Sequence, residues 1–95
     1  MHIISRKRLK QVIERRADLE IPLNAWFRTA KGASWKNLAE VRQTYSGADA
    51  VGRWTVFNIK GNQYRLIVEI NYMFQRIYVR DVLTHAEYDR GRWKQ

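Results

Sequence analysis

An α+β domain is what this sequence predicts, with N-terminal helices packed on one face of a small antiparallel β-sheet. Three observations predict it. Apolar residues in the first half recur at helical spacing, while those between Arg53 and Leu83 alternate with a period of two. The second stretch is also rich in β-branched and aromatic residues, which suit a pleated surface. Finally, 95 residues suffice for one domain, residues 1–95, with one small core, since a chain of this size buries roughly 60–65% of its unfolded surface. Hydrophobic residues make up 45% and aromatics 13%, too much apolar content for a chain disordered throughout.

The elements follow in order. His2-Ile3-Ile4 suits a short edge strand. Ser5 offers a capping hydroxyl for a helix over 6–18, whose apolar side is Leu9, Val12, Ile13 and Ala17. Pro22 fits the first turn of a second helix, because its missing N–H has no intrahelical partner there. Leu23, Trp26, Phe27 and Ala30 form that helix's stripe, and Gly32 stops it. Ser34 is a cap for a third helix lined by Leu38, Val41 and Tyr45 and ended by Gly47. Trp54 to Ile59 reads as a strand, and Lys60-Gly61-Asn62-Gln63 as a turn. Tyr64 to Tyr72 puts Tyr64, Leu66, Val68, Ile70 and Tyr72 on one face, with Arg65, Ile67, Glu69 and Asn71 on the other. Arg76 to Leu83 puts Ile77, Val79 and Leu83 against Arg76, Tyr78, Arg80 and Val82. The polar residues 84–95 close the chain with room for a helical turn.

Eighteen Lys and Arg against nine Asp and Glu leave a net charge of +9. The excess is spread over the chain: six basic and three acidic residues in 1–20, four and two in 21–50, eight and four in 51–95. The folded surface itself must therefore be basic, which suits a polyanionic partner. With no cysteine, disulfides, thiolate zinc and cysteine nucleophiles are excluded. Apolar runs are too short for a membrane span, and no apolar segment follows the basic N-terminus, so the expectation is a cytoplasmic chain that avoids membranes. His2 and His85 are the only histidines and no carboxylates cluster in the sequence. No metal site or other cofactor is therefore expected.

Chemistry concentrates on the sheet face turned away from the helices. Arg65 on one strand faces the neighbouring strand's Tyr78 and Arg80, with Arg76 further along. Guanidinium groups bind phosphate bidentately, and a tyrosine beside them can stack on a base. The same residues also fit an ordinary solvated face. Thr84-His85-Ala86-Glu87-Tyr88-Asp89 follows the last strand directly. Its histidine can move a proton near neutral pH and its aspartate can orient the ring. Thr84 with Glu87 equally fits a capping box, a structural role. Trp26, Phe27 and Trp54 read as core; Trp35 and Trp93 have no clear place.

Two stretches carry a resemblance, Asn58-x-x-Gly61-Asn62-x-Tyr64-Arg65-Leu66 and Tyr78-x-Arg80-x-x-x-Thr84-His85-x-x-Tyr88-Asp89. With the opening Met1-His2-Ile3-Ile4-Ser5 and the closing Gly91-Arg92-Trp93-Lys94, they resemble the HigB-type toxins of bacterial toxin–antitoxin pairs. The resemblance implies a RelE-like fold and metal-independent cleavage of messenger RNA, often on the translating ribosome. It implies a HigA-type helix-turn-helix antitoxin as partner, in a heterodimer or heterotetramer. Arg65 matches the family's strand arginine, and His85 and Tyr88 lie in its C-terminal active-site segment, with Arg80 just ahead. These four are the expected catalytic residues. Lys60, Arg76, Tyr78, Asp89, Arg90 and Lys94 are the expected RNA contacts; many RelE-like enzymes carry lysines on the strand before Tyr-Arg-Leu, where this chain departs from the pattern with Asn58 and then Lys60. Two other functions fit the same basic face: a non-catalytic nucleic-acid-binding module, and a gyrase-directed toxin of the same fold.

Overall fold

In the computed structural model, which describes residues 1–94, the fold is α+β. Strand β1 (His2–Ile4) leads into α1 (Arg6–Arg15), a 3₁₀ turn at Ala17–Leu19, α2 (Glu20–Gly32) and α3 (Leu38–Thr44). Strands β2 (Asp49–Val51), β3 (Trp54–Ile59), β4 (Tyr64–Asn71) and β5 (Arg76–Thr84) follow. A short helix α4 (His85–Asp89) and a 3₁₀ turn at Arg92–Lys94 come last.

The five strands make one sheet in the order β1-β5-β4-β3-β2. Antiparallel pairing, as expected, joins β3 through β5, and β2, which the sequence reading does not include, pairs antiparallel with β3. The sheet is mixed, however, because β1 pairs parallel with β5, Ile3 opposite Ile77. A parallel neighbour needs a long crossover, and α1 to α3 with β2 to β4 supply it.

The helices bury Leu9, Leu19, Leu23, Trp26, Ala30 and Val41 against Phe57, Leu66, Val68, Ile77 and Val79 of the sheet. Phe57 is the centre of the aromatic packing. Trp26 and Tyr45 meet it edge-on at 5.5 and 5.3 Å, and Trp35 stacks at 6.3 Å. Trp35 thereby finds its place in the main core.

Three local expectations change. Ser5 does not cap α1 with its side chain; it takes a left-handed turn with φ 72° between β1 and the helix. The helix expected over 6–18 stops at Arg15 and tightens into the 3₁₀ turn that buries Leu19. Asn37, not Ser34, caps α3, its side chain accepting from the Glu40 N–H at 3.0 Å, and the helix ends at Thr44 rather than near Gly47.

The largest difference lies in β5. Asp81 pairs with Ile67 but Val79 pairs with Val68, so Arg80 is an extra residue, a β-bulge. Beyond it the strand's alternation flips. Val82 joins the main core, and Leu83 moves to the opposite face. That face holds a second small cluster: Val56, Ile67 and Trp93, with Val51, Trp54, Leu83 and Tyr88 packed around them. The outer face is therefore half apolar at one end and basic around it, not uniformly solvated.

Candidate functional site

The site is built where β4 and β5 meet α4. Thr84, the last residue of β5, caps α4. Its hydroxyl accepts from the Glu87 N–H at 3.2 Å, and the Glu87 carboxylate accepts from the Thr84 N–H at 2.9 Å. The sequence-predicted capping box is present, a feature worth about 1 kcal/mol for the hydroxyl alone. The Thr84 N–H also holds the Glu87 carboxyl below its ordinary range, because it stabilises the charged form. One helical turn then puts His85 next to Tyr88 and Asp89.

Arg65 sits on the adjoining strand. Its Nη1 donates to the backbone carbonyls of Asn62 at 3.0 Å and Tyr64 at 3.2 Å. Its Nη2 lies 3.1 Å from Nδ1 of His85. A guanidinium has donors only, so Nδ1 must be the acceptor and carry no proton. The remaining ring proton is then on Nε2, which faces Asp89 Oδ2 at 3.2 Å. The two contacts together select one neutral tautomer, held from both sides. The side chains of His85 and Asp89 are 56% and 58% exposed, so this trio is an open shelf.

Tyr88 forms the shelf's back wall. Its ring lies 5.6 Å from the Arg65 guanidinium carbon and stacks on Trp93 at 4.9 Å and 18°. Trp93 Nε1 donates to the Tyr88 carbonyl at 2.9 Å. Gly91, at φ +74°, turns the chain back so that Trp93 reaches this position. Burial pushes the Tyr88 phenol up, the Asp49 and Asp89 carboxylates add to this, and Arg65 opposes it. The phenol therefore keeps its proton at neutral pH and can donate a hydrogen bond.

The other sequence-predicted residues divide. Arg80, exposed on the bulge, lies 5.1 Å from the Trp54 ring, and Lys94 lies 5.9 Å from the Trp93 ring. Both belong to the rim of the second cluster. Asp89 is part of the trio itself, and Arg90 follows α4 with its N–H donating to the Ala86 carbonyl at 3.2 Å. Tyr78 is half-buried opposite Glu69, further along the sheet. Arg76 pairs across with Asn71 and its guanidinium lies 5.7 Å from the Phe74 ring, at the far end of β5 from His85. Lys60 turns the other way and binds Asp18 at 2.8 Å. Sequence reasoning misses Arg53 and the surface role of Trp54. Arg53 stands 4.5 Å over the Trp54 ring at the tip of the β2–β3 hairpin. The adjacent pair Arg53-Trp54 is the signal that could have found them.

Chemically, the shelf offers a fixed guanidinium, an imidazole with one defined basic nitrogen, a carboxylate behind it and a protonated phenol. Among the described residues no group of three or more His, Cys, Asp or Glu side chains could hold a metal ion. No helix of these residues is long and apolar enough to cross a membrane.

Comparison with known proteins finds a family and several relatives. The family model that describes a HigB toxin, the RelE-like toxic component of a toxin-antitoxin system, matches residues 19–91. The mRNA interferase HigB of Escherichia coli O6:H1 is 28% identical over 93 residues, covering 95% of this chain and 90% of that protein. The mRNA interferase toxin HigB of Escherichia coli K12 is 29% identical over 92 residues, covering 94% of this chain and 88% of that protein. The mRNA interferase HigB of Shigella flexneri has the same identity and coverage.

Proposed function

This chain belongs to the HigB toxin family, the RelE-like toxic components of toxin–antitoxin systems, and from that premise we propose that it is an endoribonuclease that cleaves messenger RNA. The observation that carries the reading is the Arg65–His85–Asp89 trio, which presents one unprotonated ring nitrogen beside one guanidinium.

In the resting state Arg65 occupies that nitrogen. An incoming phosphodiester competes for the guanidinium, and a charged acceptor wins over a neutral imidazole. Arg65 keeps its Nη1 bonds to the backbone and redirects Nη2 to the phosphate. Nδ1 of His85 is then free to take the proton of the ribose 2′-OH, while Asp89 steadies the imidazolium that forms. The 2′-oxygen attacks the adjacent phosphorus, the P–O5′ bond breaks, and water protonates the departing 5′-oxygen. The products are a 2′,3′-cyclic phosphate and a 5′-OH. Arg65 stabilises the charge that builds on the phosphorane, and Tyr88 orients the nucleotide with its phenol or ring; Arg80, expected beside them, lies instead by Trp54 and serves RNA at that rim. Lys60 is outside this scheme because Asp18 holds it; Arg76 and Tyr78 serve only RNA further along the sheet, and Arg90 and Lys94 serve its rim.

The net charge of +9 suits docking of the chain against ribosomal RNA, since phosphate neutralisation drives such binding, and a messenger held on the ribosome is then the substrate within reach. A chain that acts on translation works in the cytoplasm. As a toxic component it has an antitoxin partner; a HigA-type helix-turn-helix protein, in a heterodimer or heterotetramer, completes the reading. Mapping messenger 5′ ends by primer extension tests it, with purified chain added to translation reactions and to ribosome-free controls. New ends only where ribosomes are present are expected. New ends in both samples would remove the ribosome from the account, and intact message in both would remove the nuclease.

A further inference from the structure

The β2–β3 hairpin builds a feature that the proposed chemistry leaves unused. Val51 pairs with Trp54, so Gly52 and Arg53 are its two-residue tip. Gly52 takes φ +59°, a conformation that suits glycine, with open space around it. The turn lays the Arg53 guanidinium over the Trp54 indole at 4.5 Å, and Arg80 approaches the same ring at 5.1 Å. Beside them is a concavity of about 370 Å³, lined by Val51, Gly52, Arg53, Trp54 and Lys94. Among the described residues no lining residue is acidic, and neither Arg53 nor Lys94 is in an ion pair. Trp54 is half-buried, anchored in the cluster that also packs Tyr88 and Trp93.

We propose that this concavity is a nucleotide subsite, in which an unpaired base of single-stranded RNA stacks against the Arg53–Trp54 wall and its phosphate lies between Arg53 and Lys94. An aromatic face beside cationic side chains is the combination that single-stranded nucleic acid selects, because every base has a π-face and every linkage a charge. The volume is in the range of small-ligand sites and suits one nucleotide rather than a duplex. Trp54 shares its cluster with Tyr88, so the subsite lies on the same face as the shelf and sets which nucleotide of a bound strand reaches His85. The inference rests on RNA being the substrate, but not on its being cleaved.

The test is binding of a short oligonucleotide with 2′-O-methyl groups throughout, which no 2′-OH attack can cut, alongside the same backbone without bases. The wild-type chain is expected to bind the intact strand about 10-fold more tightly than the abasic one, the scale of a single stacked base. Trp54→Leu is expected to remove that difference. Because Trp54 also packs in the cluster, the surface variant Arg53→Glu with Lys94→Glu provides a second reading. It is expected to weaken binding and to lower the dependence of log affinity on log salt by about 0.7 for each phosphate that is no longer neutralised. Equal binding of intact and abasic strands by the wild type would overturn the subsite. So would a poly-glutamate peptide that binds as tightly and loses as much in the double variant, since the concavity would then serve an acidic peptide. If the message is cut but these differences are absent, the subsite fails and the nuclease stands. If the differences appear without cleavage, the reverse holds.

Discussion

His85→Ala is expected to lower message cleavage by about 10²–10⁴-fold, the range a positioned proton-transfer group contributes. The effect should fall on the chemical step and not on folding. The His85 side chain is 56% exposed and packs into neither cluster, and such surface changes usually shift stability by no more than about 0.5 kcal/mol. Single-turnover cleavage alongside urea unfolding separates the two. A folded variant that cleaves like wild type would remove His85 from the mechanism, and a variant that unfolds early would move its role from chemistry to structure.

Arg65→Ala is expected to cost about 10²–10³-fold, the loss seen when one donor to a developing oxyanion is removed. Arg65→Lys should recover only part of it. Lysine keeps the charge, but a single ammonium cannot hold two backbone carbonyls and also present a second nitrogen to phosphate. Arg65 and His85 touch in the resting state and act on the same step. The double variant should therefore lose much less than the product of the two single losses. A fully multiplicative double variant would show that the two residues act independently, against the release of Nδ1 by Arg65.

Much of this arrangement is legible from residue order alone. The strand Trp54–Ile59 has the predicted ends, because its flanking turn residues leave no other register. The core face of β4 follows the predicted alternation through Leu66 and Val68. The capping box at Thr84 and Glu87 is readable because its two residue types and their spacing carry the mechanism themselves. The parallel pairing of β1 is not readable, since three residues are too few to show a period and its partner strand lies at the other end of the chain. The bulge at Arg80 is also hidden. Alternation assumes two residues per repeat, and one inserted residue leaves no mark in composition. Its consequence is local but large. Leu83 moves to the outer face, where it helps form the apolar floor beneath Tyr88 and Trp54.

At the site itself, sequence can name His85 and Asp89 together but cannot orient the ring. Orientation depends on Arg65, on a different strand, reaching Nδ1 across the strand pair. Lys60 departs from expectation for the same reason in reverse: its charge suits RNA, but the left-handed turn at φ 54° carries its side chain to Asp18 on the helical side. Arg76 shares the outer face by alternation, yet β5 is nine residues long and separates it from His85.

A single deoxy substitution decides whether the ribose 2′-OH is the nucleophile. The cleavage position would first be mapped on a message, and a strand of the same sequence made with one 2′-deoxynucleotide on the 5′ side of that position. This strand is expected to stay whole at the mapped site, while the all-ribose strand yields a 2′,3′-cyclic phosphate and a 5′-OH that a kinase can label without prior phosphatase. Cutting of the deoxy strand at the mapped position, or fragments bearing a 5′-phosphate, would contradict it.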